Sequence, residues 1–170
     1  MSMLFGDPAQ FAVEADFTGR EGEWRFGRFR LLVHGAEYGD FGDTVDLASS
    51  CQWGRTFLEH SKERTRSDLD QRSASAVYDE LVGRFMNGRG DGDPFDRDTF
   101  LFDDIGDSSL RDKTTVLVVR RADGHDRVIL RDLSSEQVQE VIVPPWTCDR
   151  VVRAFCDWID ALVGSPGPST

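Results

Sequence analysis

With 170 residues and 39% apolar content, the chain can close one hydrophobic core and needs no disulfide or metal staple to do so. Its 31 acidic residues against 20 basic ones leave a formal net charge of -11, which repels nucleic acid and steers encounters toward positively charged partners. Cys51, Cys148 and Cys156 are odd in number and lack CxxC spacing, which argues against a disulfide framework and against a zinc cluster.

No stretch approaches the ~20 apolar residues of a membrane span, and the N-terminus lacks a basic region followed by an apolar run. The expectation is a cytoplasmic chain with no membrane partner. One domain is expected over residues 1–164, followed by a Pro-, Gly- and Ser-rich tail over 165–170 too poor in apolar residues to order.

Phe11, Val13, Ala15 and Phe17 alternate with Ala12, Glu14, Asp16 and Thr18, the period-2 pattern of a half-buried strand. After the turn at Gly19 to Gly22, Trp24 and Phe26 take one phase and Phe29, Leu31 and Val33 the opposite one. A bulge that resets the facing is therefore expected at Gly27. The two strands pair as an antiparallel hairpin.

From Thr44 the pattern turns helical. Leu47, Ala48, Cys51, Phe57 and Leu58 share a face, Asp43 or Thr44 can cap it, and Gly54 interrupts it. The polar, mixed-sign run from Ser61 to Ser73 reads as a solvated connection. A second helix is predicted from Ser75 to Met86, where Val77, Leu81 and Phe85 recur every fourth residue and Asn87-Gly88 supplies a stop.

Thr114 to Arg120 and Arg127 to Leu133 are β-branched and apolar, and Asp123-Gly124 between them accepts positive φ in a tight turn, so a second hairpin is predicted. Glu136 to Val143 reads as a further strand, ended by Pro144-Pro145. Thr147 caps a last helix whose stripe is Val151, Val152, Phe155, Trp158, Ile159 and Leu162, and Gly164 ends it. Trp24, Trp53 and Trp158 fit element faces and are expected in the core. This order predicts an α+β fold, an antiparallel sheet with helices packed on one face. Without βαβ alternation, a doubly wound nucleotide-binding fold is not expected.

The acid is concentrated. Between Gly88 and Asp107, Asp91, Asp93, Asp96, Asp98, Asp103, Asp104 and Asp107 stand against two arginines and supply five of the eleven excess negative charges. An EF-hand loop begun at Asp91 would put Asp96 where the glycine belongs and Phe102 where the bidentate glutamate must be, so a metal site is not expected. The seven aspartates read instead as a solvated acidic loop that can meet a partner. Tyr38 at a loop tip and Trp146 after two prolines are candidate interface anchors, with core packing the plainer alternative.

Catalytic signatures are lacking. His34, His60 and His125 fall on different elements, and His125-Asp126 are neighbours in a turn, where adjacent side chains point apart. There is no G-x-S-x-G elbow, HExxH helix or glycine-rich phosphate loop, so no catalytic residue and no cofactor is nominated.

The run Leu4-Phe5-Gly6-Asp7-Pro8-Ala9-Gln10-Phe11-Ala12-Val13 resembles the opening of the bacterial immunity protein 42 family, in which an apolar pair, Gly-Asp-Pro, two variable residues and Phe-Ala-aliphatic lead into the first strand. The loop around Val33 to Asp40, the turn at Asp123-Gly124 and Val-Ile-Val-Pro before an amphipathic helix are similar to that family's layout. The resemblance implies a non-catalytic protein that binds and neutralises the toxin domain of a secreted polymorphic toxin, protecting the producing cell. A toxin that attacks nucleic acid is often basic, which suits an acidic binder. Composition alone leaves two other classes open, an enzyme with an unrecognised carboxylate site and a general acidic interaction module.

Overall fold

The alternation that begins at Phe11 belongs to a strand with neighbours on both sides. In this computed structural model, which describes residues 1–87 and 95–164, β1 (Ser2–Asp7), β2 (Phe11–Glu21), β3 (Trp24–Val33) and β4 (Ala36–Tyr38) pair antiparallel in that order, and β5 (Val45–Asp46) joins β3 farther along. Phe11, Val13, Ala15, Phe29, Leu31 and Val33 form the inner face, each 1% exposed or less.

The phase switch expected at Gly27 does not occur. Gly27 stays on the buried phase with Phe29 and Leu31, because Leu47 occupies the space where a side chain would stand. The register shift falls on β2, between Phe17 and Gly19. Trp24 is consequently on the outer phase and 59% exposed, and Trp53 is 38% exposed, so neither is a core residue; Trp158 does pack on the core.

The β1–β2 connection is the Gly6-Asp7-Pro8 turn. Gly6 sits at φ 98, and a Cβ there would lie 2.5 Å from Phe11 O and 2.6 Å from Val151 Cγ2, so only glycine lets the last helix approach this turn. The Asp7 carboxylate accepts from Ala9 N at 2.9 Å, and Pro8 O accepts from Gly35 N at 2.8 Å, tying the turn to the β3–β4 corner.

α1 (Leu47–Glu59) is capped by Asp46, whose carboxylate accepts from Ala48 N and Ser49 N at 3.2 and 3.3 Å. The cap falls beyond Asp43 and Thr44 because Val45 is still held in β5 opposite Gly27. Gly54, which weakens the helix by propensity, marks its crossing with α5 (Thr147–Gly164): a Cβ there would meet Cys156 Sγ at 2.8 Å and Val152 Cγ1 at 3.1 Å. Phe5 packs against Phe155 and Trp158 of α5, with ring centroids 5.9 and 5.5 Å apart.

The α+β class holds, but the strands divide into two sheets. β6 (Thr114–Arg120), β7 (His125–Asp132) and β8 (Val138–Pro145) form a second antiparallel sheet. Val116, Val118, Val128 and Leu130 face the first core, whereas Leu117, Val119 and Ile129 face a second one built with Leu69, Phe100 of α3 (Phe95–Phe100), and Val77 and Leu81 of α2 (Ala74–Asn87). A sheet covered on both faces reads as unbroken apolar runs, which is what β6 and β7 carry. β8 continues through Pro144 and Pro145 because it is an edge strand with a register shift opposite His125 and Asp126, where missing amide donors are tolerated. The Gly88 stop and the 165–170 tail lie outside the described residues.

The Ser61 to Ser73 run is not a solvated connection. Leu69 is fully buried, and Arg64 is fully buried as well. Arg64 donates to Phe57 O, to Thr99 O at 3.3 Å and to the Asp149 carboxylate, with its guanidinium 3.6 Å from the centre of the Phe57 ring. Arg120 donates from Nε to Asp126 at 2.9 Å and from Nη1 to Ser61 O at 2.8 Å, and its Nη2 lies 3.1 Å from Asp149. The second Asp126 oxygen accepts from Cys148 N at 3.0 Å, so Asp126 serves as an N-cap for α5 supplied by another element. Burial lowers the Arg64 pKa, opposed by Asp149, and raises that of Asp126, opposed by Arg120. Arg127 closes the other face, donating to Leu69 O at 2.7 Å, Arg72 O at 2.9 Å and Glu140 at 2.6 Å.

Two substitutions check this packing. Phe11→Ala is expected to lower the unfolding free energy by about 3 to 5 kcal/mol in denaturant titration. Asp126→Asn leaves Arg120 only the Asp149 carboxylate, which it shares with Arg64, and is expected to cost about 3 to 5 kcal/mol, whereas Arg120→Met combined with Asp126→Leu recovers much of that loss.

Candidate functional site

The aspartate-rich segment does not act as one exposed loop. Asp91, Asp93 and the side chain of Asp96 lie outside the described residues; Asp98 is half-buried in α3. Asp103 and Asp104 form a 3-10 turn, Asp103–Gly106, and are only 5% and 4% exposed. The Asp103 carboxylate accepts from Val116 N at 3.0 Å, satisfying a donor on the outer edge of β6, and Asp104 lies 3.7 Å from Arg111. Their expected exposure is thus corrected: a carboxylate beside an open strand edge is drawn in by backbone donors. Asp107 opens α4 (Asp107–Arg111) at φ 49, stays 35% exposed, and accepts from Arg111 at 3.2 Å.

Tyr38 ends β4, and the segment that follows it meets α4. α4 docks there through Ser109, which is fully buried. Its hydroxyl donates to Phe29 O at 2.6 Å, and Ser109 O accepts from Asp40 N at 3.0 Å, fastening the loop after β4. The result is a cleft of about 420 Å³ between β4 and the open end of the β6–β7 hairpin, lined by Glu37, Tyr38, Gly39, Asp112, Lys113, Thr114, Asp132, Leu133 and Ser134. The Tyr38 hydroxyl is 3.4 Å from Gln139 Oε1 of β8, and partial burial raises its pKa. Leu133 is 46% exposed, an apolar spot beside the ring.

The rim of this cleft is acidic. Lys113 pairs with Asp40 at 2.9 Å and Asp43 at 3.7 Å, and its hydrogen bond holds the Asp40 carboxyl below the usual carboxylate range. Arg111 lies 3.8 Å from Asp112 in addition to its contact with Asp107. Asp132 is held low by the Ser134 hydroxyl and by the Ser134 and Ser135 amides. Of the charged residues that line the cleft, Glu37, Asp112 and Asp132 are acidic and Lys113 is basic; Asp40 and Asp43 join them through Lys113, and Glu37 is ion-paired with Arg30 at 2.6 Å. Of the lining residues only Tyr38 carries a sequence signal that singles it out; the others come together through chain crossings that no local pattern encodes.

Trp146 is elsewhere. It follows β8 at φ 60, is 44% exposed, and lies against Arg120, whose guanidinium is 3.7 Å from the ring centre. Its amide donates to Gly124 O at 3.3 Å, at the turn end of the hairpin. The cleft opens at the other end, a strand length of roughly 20 Å away. His34 follows β3, His60 caps the C-terminal end of α1, and His125 begins β7 with its Nδ1 3.1 Å from Asp123. Asp126 points inward to Arg120, away from that ring. Among the described residues no group of three His, Cys, Asp or Glu side chains could hold a metal ion, and no helix is long and apolar enough to cross a membrane.

Comparison with solved structures finds the same fold in CdiI from Burkholderia dolosa, at 20% identity and a TM-score of 0.70, covering 96% of this chain and 100% of that one. No curated protein matches the chain. The family described as immunity protein 42 matches residues 3–158, which takes in the Gly6-Asp7-Pro8 turn, both sheets, the buried arginine network and the cleft. The chain belongs to the immunity protein 42 family.

Proposed function

We propose that this protein neutralises a cognate toxin domain by one-to-one binding at the acidic cleft, occupying the toxin and turning over no substrate. Membership of the immunity protein 42 family over residues 3–158 is the observation that carries the role. The cleft supports the location: an aromatic ring and an exposed leucine stand within a rim of carboxylates, the combination of apolar anchor and polar surround found at protein interfaces. Carboxylates on such a rim steer a basic partner inward and do not bind nucleic acid, so a toxin domain with a cationic surface is the fitting partner. Asp98 and Asp107 extend the acidic character, and Asp91, Asp93 and Asp96 are expected to add to it. Trp146 is a second contact point if the toxin spans the hairpin. The protein works in the cytoplasm on this reading, where a toxin that has entered the cell would meet it.

The test is binding to the toxin encoded alongside this chain. A Glu37→Gln, Asp43→Asn, Asp112→Asn triple variant is expected to associate about tenfold more slowly at low ionic strength and to show a flatter salt dependence, with stability nearly unchanged. Tyr38→Ala is expected to act on dissociation, with a loss of about 2 kcal/mol in affinity. Equal rates and salt slopes for wild type and triple variant remove the cleft from the mechanism. Failure of the wild type to bind or protect removes the immunity role.

A further inference from the structure

α1 and α5 come from distant parts of the chain, yet they cross with a cysteine from each at the contact. Cys51 and Cys156 are 105 residues apart in sequence. Cys156 Sγ is 3.5 Å from Cys51 O, and Cys51 Sγ is 3.9 Å from Cys156 O, so each sulfur stands against the other's backbone. Gly54, one turn along α1, lets the helices come this close, since any side chain there would strike Cys156 Sγ. Each sulfur thus lies against the other cysteine's backbone at a crossing tightened by glycine, the kind of close approach on which a disulfide depends. Both are nearly buried, at 1% and 4% exposure, so only a small oxidant can reach them.

We propose that Cys51 and Cys156 are a modification site: a peroxide-class oxidant converts them to an intramolecular disulfide that locks α1 onto α5. The Cys51 thiolate attacks one oxygen of hydrogen peroxide, the O–O bond breaks, Cys51 becomes a sulfenic acid, and the released hydroxide takes a proton to become water. The Cys156 sulfur then attacks the Cys51 sulfur, gives up its proton, and expels the sulfenic oxygen as a second water. Two thiols lose two electrons and two hydrogens, and one peroxide becomes two waters. The two sulfurs are suited to unequal parts. The neighbouring Cys156 thiol lowers the Cys51 pKa against the effect of burial, with Arg55 adding to the lowering, while the Cys51 sulfur and burial raise that of Cys156. Cys51 is therefore the attacking sulfur and Cys156 the resolving one.

Cys148 is the internal control. It is fully buried, and burial pushes its thiol well above the ordinary range. The network around Asp126 holds its backbone, and no second cysteine faces it among the described residues.

The experiment treats the full chain with a few equivalents of hydrogen peroxide, then maps the peptides by mass spectrometry after alkylation under denaturing conditions. The expected product is a linked Cys51–Cys156 pair with Cys148 still alkylatable. Its melting temperature should rise by about 10 °C, as for closing a loop of this length, and fall back on reduction. Cys51→Ser should show neither the link nor the rise; Cys156→Ala serves if that variant does not fold. A link that includes Cys148, sulfinic acid at Cys51 or Cys156 without a link, or three intact thiols in the folded protein overturns the proposal.

Discussion

The first turn of α5 is where the molecule is tied together, and the tie is a group of four buried charges. Arg64 and Arg120 face Asp126 and Asp149, so the group is neutral as a whole. Each partner comes from a different place: the segment after α1, β6, β7 and α5 itself. Two arginines buried alone would be prohibitive, and two carboxylates at the open amides of a helix N-terminus are favoured by its dipole. The helix end thus selects the carboxylates, and the carboxylates select the arginines. Main-chain oxygens of Phe57, Ser61 and Thr99 take up further guanidinium donors, which fixes the end of α1 and the segment around Thr99 against the same point.

This tie decides how the two sheets stand. The inner face of the first sheet shares one core with α1, α5 and one face of the second sheet. The second sheet is an internal layer, with apolar side chains on both faces. The cleft lies between β4 of the first sheet and the open end of the β6–β7 hairpin of the second. The buried charges sit at one end of the β6–β7 hairpin and the cleft at the other, so the side chains of the cleft can vary without disturbing the charges that hold the fold.

Much of the fold was legible in the sequence because period and turn chemistry agree there. Phe11 to Phe17, the Asp123-Gly124 hairpin and the stripe of α5 are all local patterns, and all three form as expected. Trp24 and Trp53 lie outside because strand parity and helix facing outrank residue type: large aromatics on outer phases stay outside. β1 escaped because its outer residues are exposed and its inner ones few. Arg64 escaped for a deeper reason, since a polar run carries no mark of whether its charge will find a buried partner 85 residues away. The same holds for Asp103, whose role is set by an amide on β6. The Gly6-Asp7-Pro8 turn was visible as a family signature, and its physical cause is the approach of Val151 to a position that admits no Cβ.

Ser109 gives the acidic rim a property that charge alone does not. Its hydroxyl and carbonyl hold Phe29 O and the Asp40 amide in one small cluster, so the loop that carries Asp40 and Asp43 is moored to β3 through a buried helix turn. Carboxylates on a slack loop would have to be immobilised by each visitor, at a cost in conformational freedom. Carboxylates on a moored loop hold a fixed pattern in space before anything arrives, and a partner bound as proposed would be discriminated by whether its own cations match those positions.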